Sequence, residues 1–125
     1  MEFLVVGIKI FIFISIINVW FIRFNKPTVW RGGKASSMRE EFKTYNLSET
    51  VMYVIGGLKV LSASVLLISI WFRSLTIYAA VLMAVLMAGA IGMHLRVHDP
   101  LKKSFPAFSF LVLSLVLILN YLGML

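Results

Sequence analysis

Four stretches of almost unbroken apolar residues, about 3–22, 51–72, 75–94 and 105–124, dominate the chain, and polar residues gather between them. Each stretch is close to the ~20 residues an α-helix needs to cross a ~30 Å hydrocarbon core. The runs are continuous and do not alternate, so they predict helices and exclude the strands of a membrane β-barrel. Only Phe72 to Ser74 separates the second run from the third. The pattern predicts an all-α fold: a membrane-embedded four-helix bundle in a single domain over residues 1–125, with spans two and three as a tight antiparallel hairpin.

The 23–49 connection carries a pattern of its own. Pro27 breaks the exit from the first span and Gly32-Gly33 predicts a flexible turn. Ser37-Met38-Arg39-Glu40 fits a capping box, in which Ser37 accepts an orphan amide and Glu40 reaches back to the cap. Met38, Phe42 and Tyr45 follow at i, i+4 and i+7, with Arg39 and Lys43 on another face, and Asn46 is a natural stop. A short amphipathic interfacial helix is expected at 38–45, lying on the membrane or folded under the bundle.

Composition agrees with this picture. The chain is 61% hydrophobic and 14% charged, with a mean hydropathy of +0.98. A soluble domain of this size could not bury so much apolar surface. The absence of cysteine excludes thiol–disulfide chemistry, thiolate metal sites and iron–sulfur ligation by the chain itself. The net charge of +7 lies beside apolar spans, which favours anionic membrane lipids as partners over nucleic acid. The first run opens Met-Glu-Phe-Leu without a basic region or a small-x-small cleavage site, so an uncleaved span is expected.

Charge also predicts orientation. Arg23, Lys26, Arg31, Lys34, Arg39, Lys43, Arg96, Lys102 and Lys103 fall on one side, and only Arg73 falls on the other, alongside Glu2. The positive-inside rule then places the 23–49 and 95–104 loops in the cytoplasm and both termini outside an inner (cytoplasmic) membrane. Small residues predict how the helices meet. Ala80, Ala84, Ala88 and Gly92 repeat every four residues in span three, and Gly56, Gly57, Ser62, Ala63 and Ser64 crowd span two. Close packing of spans two and three along these faces is expected. Met83, Met87 and Met93 suit gap-filling.

The polar positions inside the spans are few. Lys59 lies nine residues past Thr50, about 13 Å below the surface at 1.5 Å per residue. A central lysine costs about 2.5–3.5 kcal/mol on insertion scales, so it should face the bundle interior or a wet cavity. No span contains an acidic residue to pair with it. Three arrangements would accommodate it: a neutral buried amine, a contact with Glu40 or Glu41 if the loop helix tucks inward, or an anionic or carbonyl-bearing ligand. Simple snorkelling to the surface is the fourth. Lys9 lies about two turns from the other edge, where snorkelling suffices, and Asn18 is expected to hydrogen-bond across helices.

His94, Arg96, His98 and Asp99 cluster where span three ends, before Pro100. His94 and His98 are four apart and would share a helical face, but two histidines and an aspartate make a weak metal signal. His94 near the interface is also placed to bond a quinone or a lipid headgroup, and cations at a helix C-terminus stabilise the helix dipole in any case. No nucleotide-binding loop, zincin motif, nucleophile elbow or deaminase signature is present, and no independent catalytic activity is expected.

The order of features has a counterpart. The charged linker at 31–49 leads into Met52-Tyr53-Val54-Ile55-Gly56-Gly57-Leu58-Lys59, and an Ala/Met-rich third span ends in His94. This resembles the DoxX-like family of small four-span membrane proteins. The resemblance implies a compact four-helix bundle. The family takes its name from a subunit associated with a thiosulfate:quinone oxidoreductase; some relatives belong to membrane redox assemblies and more distant ones assist assembly of other membrane proteins. His94 matches the family's histidine at the end of span three. Two positions depart: Asn46-Leu47-Ser48 stands where the family commonly has Gly-x-Pro, and Lys59 stands where a glutamate is frequent. That reversal of charge counts against transferring a carboxylate-based proton or quinone role. The resemblance implies a non-catalytic, ligand-binding subunit of a quinone-linked system, with a quinone as the cofactor it would hold; the candidate site residues are His94, which the family shares, and Lys59, Tyr53, Trp30, Glu40 and Glu41 from the reading of the polar positions. A structural or assembly partner of another membrane protein is the alternative, and a small-molecule or lipid carrier, alone or as a homo-oligomer, the third.

Overall fold

The computed structural model describes residues 2–125. Among them every regular element is helical, as the apolar runs predict. Helix α1 (Glu2–Ile17) continues through a π-helical turn (Asn18–Ile22). The short α2 (Met38–Thr44) follows, then α3 (Glu49–Ile68), α4 (Thr76–Arg96) and α5 (Phe105–Tyr121). Short 3-10 turns at Arg73–Leu75 and Leu101–Ser104 lead into α4 and α5. Among the described residues four segments are long and apolar enough to cross a membrane: Glu2–Ile22, Glu49–Ile68, Arg73–Arg96 and Leu101–Tyr121.

Local chemistry sets the ends. Ser37 Oγ accepts from the Glu40 amide at 3.2 Å, as a capping box requires. Glu40 returns its carboxylate one residue early, to the Ser36 amide at 3.0 Å. Ser48 caps α3 by accepting from the Val51 amide, so α3 starts two residues before the apolar run does. α2 and α4 close with the same left-handed motif. Asn46 (φ 60°) and His98 (φ 59°) take the αL position. The Leu47 amide bonds back to Phe42 O, and the Asp99 amide bonds back to His94 O. The second span stops at Ile68, not residue 72, because Trp71 and Phe72 are apolar yet belong to the turn. Both are exposed, as interfacial aromatics are.

The helices pack in the order α1, α3, α4, α5, with α4 and α5 most extensively in contact. Phe11 and Phe110 stack at 5.8 Å where α1 meets α5. Ile12, Met52, Leu66, Met83 and Leu117 fill the centre, while Phe3, Ile14, Val54, Tyr78 and Val85 face outward, the inversion expected of a chain solvated by lipid.

The expected meeting of spans two and three along their small residues holds only in part. Ser62 Oγ donates to Ala79 O at 2.7 Å, and Ala63 and Ala80 are fully buried. Ala88 and Gly92 are instead exposed, and α4 makes its most extensive contact with α5. Gly56 serves a different contact: it seats the ring of Trp20 from the π-helical turn.

Candidate functional site

The polar chemistry concentrates at the end of the bundle where α2 lies. α2 does tuck inward. Met38 and Phe42 are buried, and Phe42 packs edge-on against Trp20 at 6.1 Å. This brings Glu41 and Tyr45 against the end of α4, where His94 is 6% exposed.

Arg31 is the hub. Its side chain is 4% exposed. Nε donates to Lys26 O at 3.0 Å, and Nη1 donates to Glu41 Oε2 at 3.3 Å. Nη2 donates to the carbonyls of Arg23 and Phe24. The guanidinium thus gathers the 23–31 loop around itself, and its planar fork of donors suits that task better than an ammonium would. Glu41 is bound from three sides: Oε2 meets Arg31, and Oε1 accepts from the Gly32 amide at 2.9 Å and the Tyr45 hydroxyl at 3.0 Å.

The Tyr45 hydroxyl lies almost equidistant from the two ring nitrogens of His94, at 3.4 and 3.5 Å, so it meets the ring without a hydrogen bond directed at one atom. The rings are edge-to-face at 5.8 Å. His94 Nδ1 pairs with Asp99 Oδ2 at 2.8 Å. Asp99 Oδ1 accepts from the Gly33 amide at 3.0 Å, and Lys103 Nζ donates to Gly33 O. One continuous chain, Arg31–Glu41–Tyr45–His94–Asp99–Gly33–Lys103, therefore ties the loop, α2, α4 and the start of α5 together.

Gly32 and Gly33 are a docking seat in this structure, not a source of flexibility. Consecutive amides serve two different carboxylates. A Cβ on Gly32 would stand 2.6 Å from Tyr45 Cζ, and Gly33 has φ +56°, a conformation glycine adopts without penalty.

Burial raises the Tyr45 phenol, and the Glu41 carboxylate beside it adds to the effect, so the hydroxyl stays protonated and keeps donating. For Asp99, burial alone would push the carboxyl up. The hydrogen bonds from His94 and the Gly33 amide outweigh this, with Lys103 assisting, and hold it below its ordinary 3.8. A depressed carboxyl stabilises the fold fully above its unfolded value and loses that contribution as pH falls through the folded one. Thermal stability in detergent is thus expected to be insensitive to Asp99 down to pH 3.8 and to fall below it. Asp99→Asn should remove that acid limb at the cost of lower stability at neutral pH.

The residues singled out from sequence are distributed unevenly. His94 and Glu41 lie in the chain of contacts. Glu40 is exposed and caps α2 through Ser36 and Ser37. Tyr53 is 53% exposed on the outside of α3, where Arg39 binds its hydroxyl at 2.6 Å and Glu49 at 2.6 Å. Trp30 is exposed and leans on Phe105 at 6.2 Å. Lys59 is half-buried, with Nζ 5.8 Å from the Trp20 ring centroid. It forms no hydrogen bond or ion pair among the described residues, because Glu41 turns to Arg31. Asn18 likewise makes no side-chain bond across helices among the described residues. His98 is exposed and turned away from His94 by its left-handed backbone, so the two do not share a face. Among the described residues no cluster of His, Asp and Glu is arranged to hold a metal. Lys9 does not snorkel outward: it is buried and bonded to Ser69 O and Thr76 Oγ1.

Sequence reasoning missed Arg31, Tyr45 and Asp99 as partners. The available signal was the pair of helix stops, Asn46 and His98-Asp99-Pro100, which reverse the chain onto the preceding turns.

These features define an all-helical, multi-pass membrane protein with a buried polar chain under a short helix at one end. The sequence model of the DoxX-like family matches residues 27–118. The match includes the whole polar chain, from Arg31 to Lys103, the second and third spans and most of the fourth. The chain belongs to the DoxX-like family. No curated protein and no solved structure matches it significantly.

Proposed function

We propose that this protein is a non-catalytic, ligand-binding component of a quinone-linked membrane redox system. The observation that carries the reading is the buried His94–Asp99 pair at the end of α4, whose helix neighbours Ile91 and Leu95 line an apolar groove. Asp99 holds Nδ1 of the ring, which fixes its orientation and leaves Nε2 with only the Tyr45 hydroxyl at 3.5 Å. One turn away, a groove of about 470 Å³ runs between α4 and α5, lined by Ile91, Leu95, Phe105 and Phe108, with Ser104 and Lys102 at its polar edge. A quinone needs a polar contact for its carbonyl oxygens and an apolar channel for its prenyl tail. The residues present suit both. The Lys59 amine, which has no hydrogen-bond partner among the described residues and lies over Trp20, is a second candidate donor for a carbonyl oxygen. A bound quinone would supply the redox chemistry, and the chain would position it for a partner protein. The crowding of basic residues at this end supports a cytoplasmic orientation.

The test is quinone extraction from purified protein, comparing wild type with His94→Ala and Lys59→Met. Wild type is expected to retain quinone and both variants to fold, elute as single species and lose most of it. Absence of quinone from wild type, or equal retention in all three, would overturn the reading.

A second reading, an assembly partner, is favoured by the outward face of α4. Ala88, Gly89 and Gly92 are exposed there, and neither glycine has an atom within 4 Å of where a Cβ would stand. Such faces dock helices in membranes. Reproducible co-purification of one membrane protein, lost in Gly92→Leu, tests it.

A further inference from the structure

The opposite end of the bundle holds a second polar site, independent of the quinone reading. A cavity of about 280 Å³ opens among the start of α1, the α3–α4 turn and the end of α5. Lys9 forms its floor. The side chain is 4% exposed, although it lies two turns inside the first span. Its Nζ donates to Thr76 Oγ1 at 3.0 Å and to Ser69 O at 3.3 Å. An ammonium has three N–H donors, so one remains uncommitted beside the cavity. Arg73 lines the wall. Its Nη2 donates to Tyr121 O at 3.1 Å, and the guanidinium lies 4.5 Å from the Tyr121 ring centroid. That grip fixes the guanidinium and leaves its other N–H groups free. Neither cation is paired with a carboxylate among the described residues. Glu2 is the acidic residue on the lining, and it is exposed at the mouth.

Two held cations on the lining of one small cavity form an oxyanion site. A buried ammonium without a counter-charge is costly, and an anion in the cavity relieves that cost. The volume admits a small headgroup and excludes a whole lipid. We propose that the Lys9–Arg73 cavity binds an anionic phosphate group, with Thr76, Asn120 and Tyr121 as additional hydrogen-bonding positions. The phosphate would come from a lipid headgroup or from solution.

Native mass spectrometry of protein released from nanodiscs of mixed phosphatidylglycerol and phosphatidylcholine tests this. Wild type is expected to retain phosphatidylglycerol over phosphatidylcholine by about tenfold, a difference one good ionic contact can supply. Lys9→Met should abolish the preference and Arg73→Gln should weaken it. Arg73 sits in an exposed turn, so its variant keeps the test valid should Lys9→Met fail to fold. Inorganic phosphate added in neutral detergent separates the sources. A Lys9-dependent rise in thermal midpoint, without lipid preference, supports the site with a soluble oxyanion as occupant. Equal retention of both lipids with no phosphate response overturns the proposal. So does a preference or response that survives unchanged in both variants.

Discussion

Arg31→Met is expected to lower the unfolding free energy by about 3–5 kcal/mol, the usual consequence of removing one partner from a buried ion pair. The side chain is almost completely enclosed, and its partner Glu41 is 13% exposed. Methionine fills similar space but leaves the carboxylate without its cation and the Lys26 carbonyl without its donor, while the Arg23 and Phe24 carbonyls keep the Lys26 and Met38 amides. The cost therefore comes chiefly from stranding the Glu41 carboxylate, the part-buried partner of the pair. Detergent-titrated unfolding, followed by tryptophan fluorescence, measures the change, since Trp20 packs against Phe24 and Phe42 in the same layer. The double variant Arg31→Met, Glu41→Gln distinguishes an ion pair from generic packing. Glutamine still accepts from the Gly32 amide and the Tyr45 hydroxyl but carries no charge to strand. The double variant should therefore be more stable than Arg31→Met alone, a non-additivity diagnostic of direct contact. If the single variant unfolds like wild type, the loop is not held by Arg31.

The spans were legible because a bilayer imposes a length and a polarity that few sequences satisfy by accident. α2 was legible because Ser37, the Met38–Phe42–Tyr45 spacing and Asn46 agree with one another. The site was harder to read for a specific reason. Arg31 is one of nine basic residues at that end, and positive-inside counting treats all nine alike; only the folded loop shows that one is buried. Asp99 reaches His94 by way of a left-handed residue that is not glycine, and sequence rarely announces such a position. Lys59 drew attention because an ammonium in an apolar run is expensive. Lys9 carries the same expense and has polar partners within reach, yet those partners, Ser69 and Thr76, flank the α3–α4 turn, 60 and 67 residues along the chain. Periodicity reports which face a residue occupies on its own helix. It does not report which neighbour that face meets, and for this reason the small-residue stripe of α4 was expected wholly against α3 and is divided instead.

Gly56→Ala should destabilise the bundle by about 1–3 kcal/mol, the range for overpacking a filled interior. Gly57→Ala, one residue away, should be neutral or slightly stabilising. The contrast follows from geometry. A Cβ on Gly56 would stand 2.6 Å from Trp20 Cε3 and 2.8 Å from Cη2, whereas a Cβ on Gly57 meets nothing within 4 Å. Alanine is also the better helix former, by about 1 kcal/mol in water, so the loss at Gly56 is steric and not conformational. The indole cannot simply move aside. Its centroid is 6.1 Å from those of Phe24 and Phe42, and Lys59 Nζ lies over it at 5.8 Å. Displacing it pushes on Phe42, and Phe42 sits in α2 between Glu41 and Tyr45. Gly56→Ala should therefore loosen the polar chain at a distance, seen as faster hydrogen exchange at the Gly32 and Gly33 amides, which Gly57→Ala leaves protected. A compensating Trp20→Phe, with its smaller ring, should restore part of the stability to Gly56→Ala while destabilising wild type. Equal behaviour of the two alanine variants would mean that the indole is not seated on Gly56, and that the first span reaches the interfacial helix by some other contact.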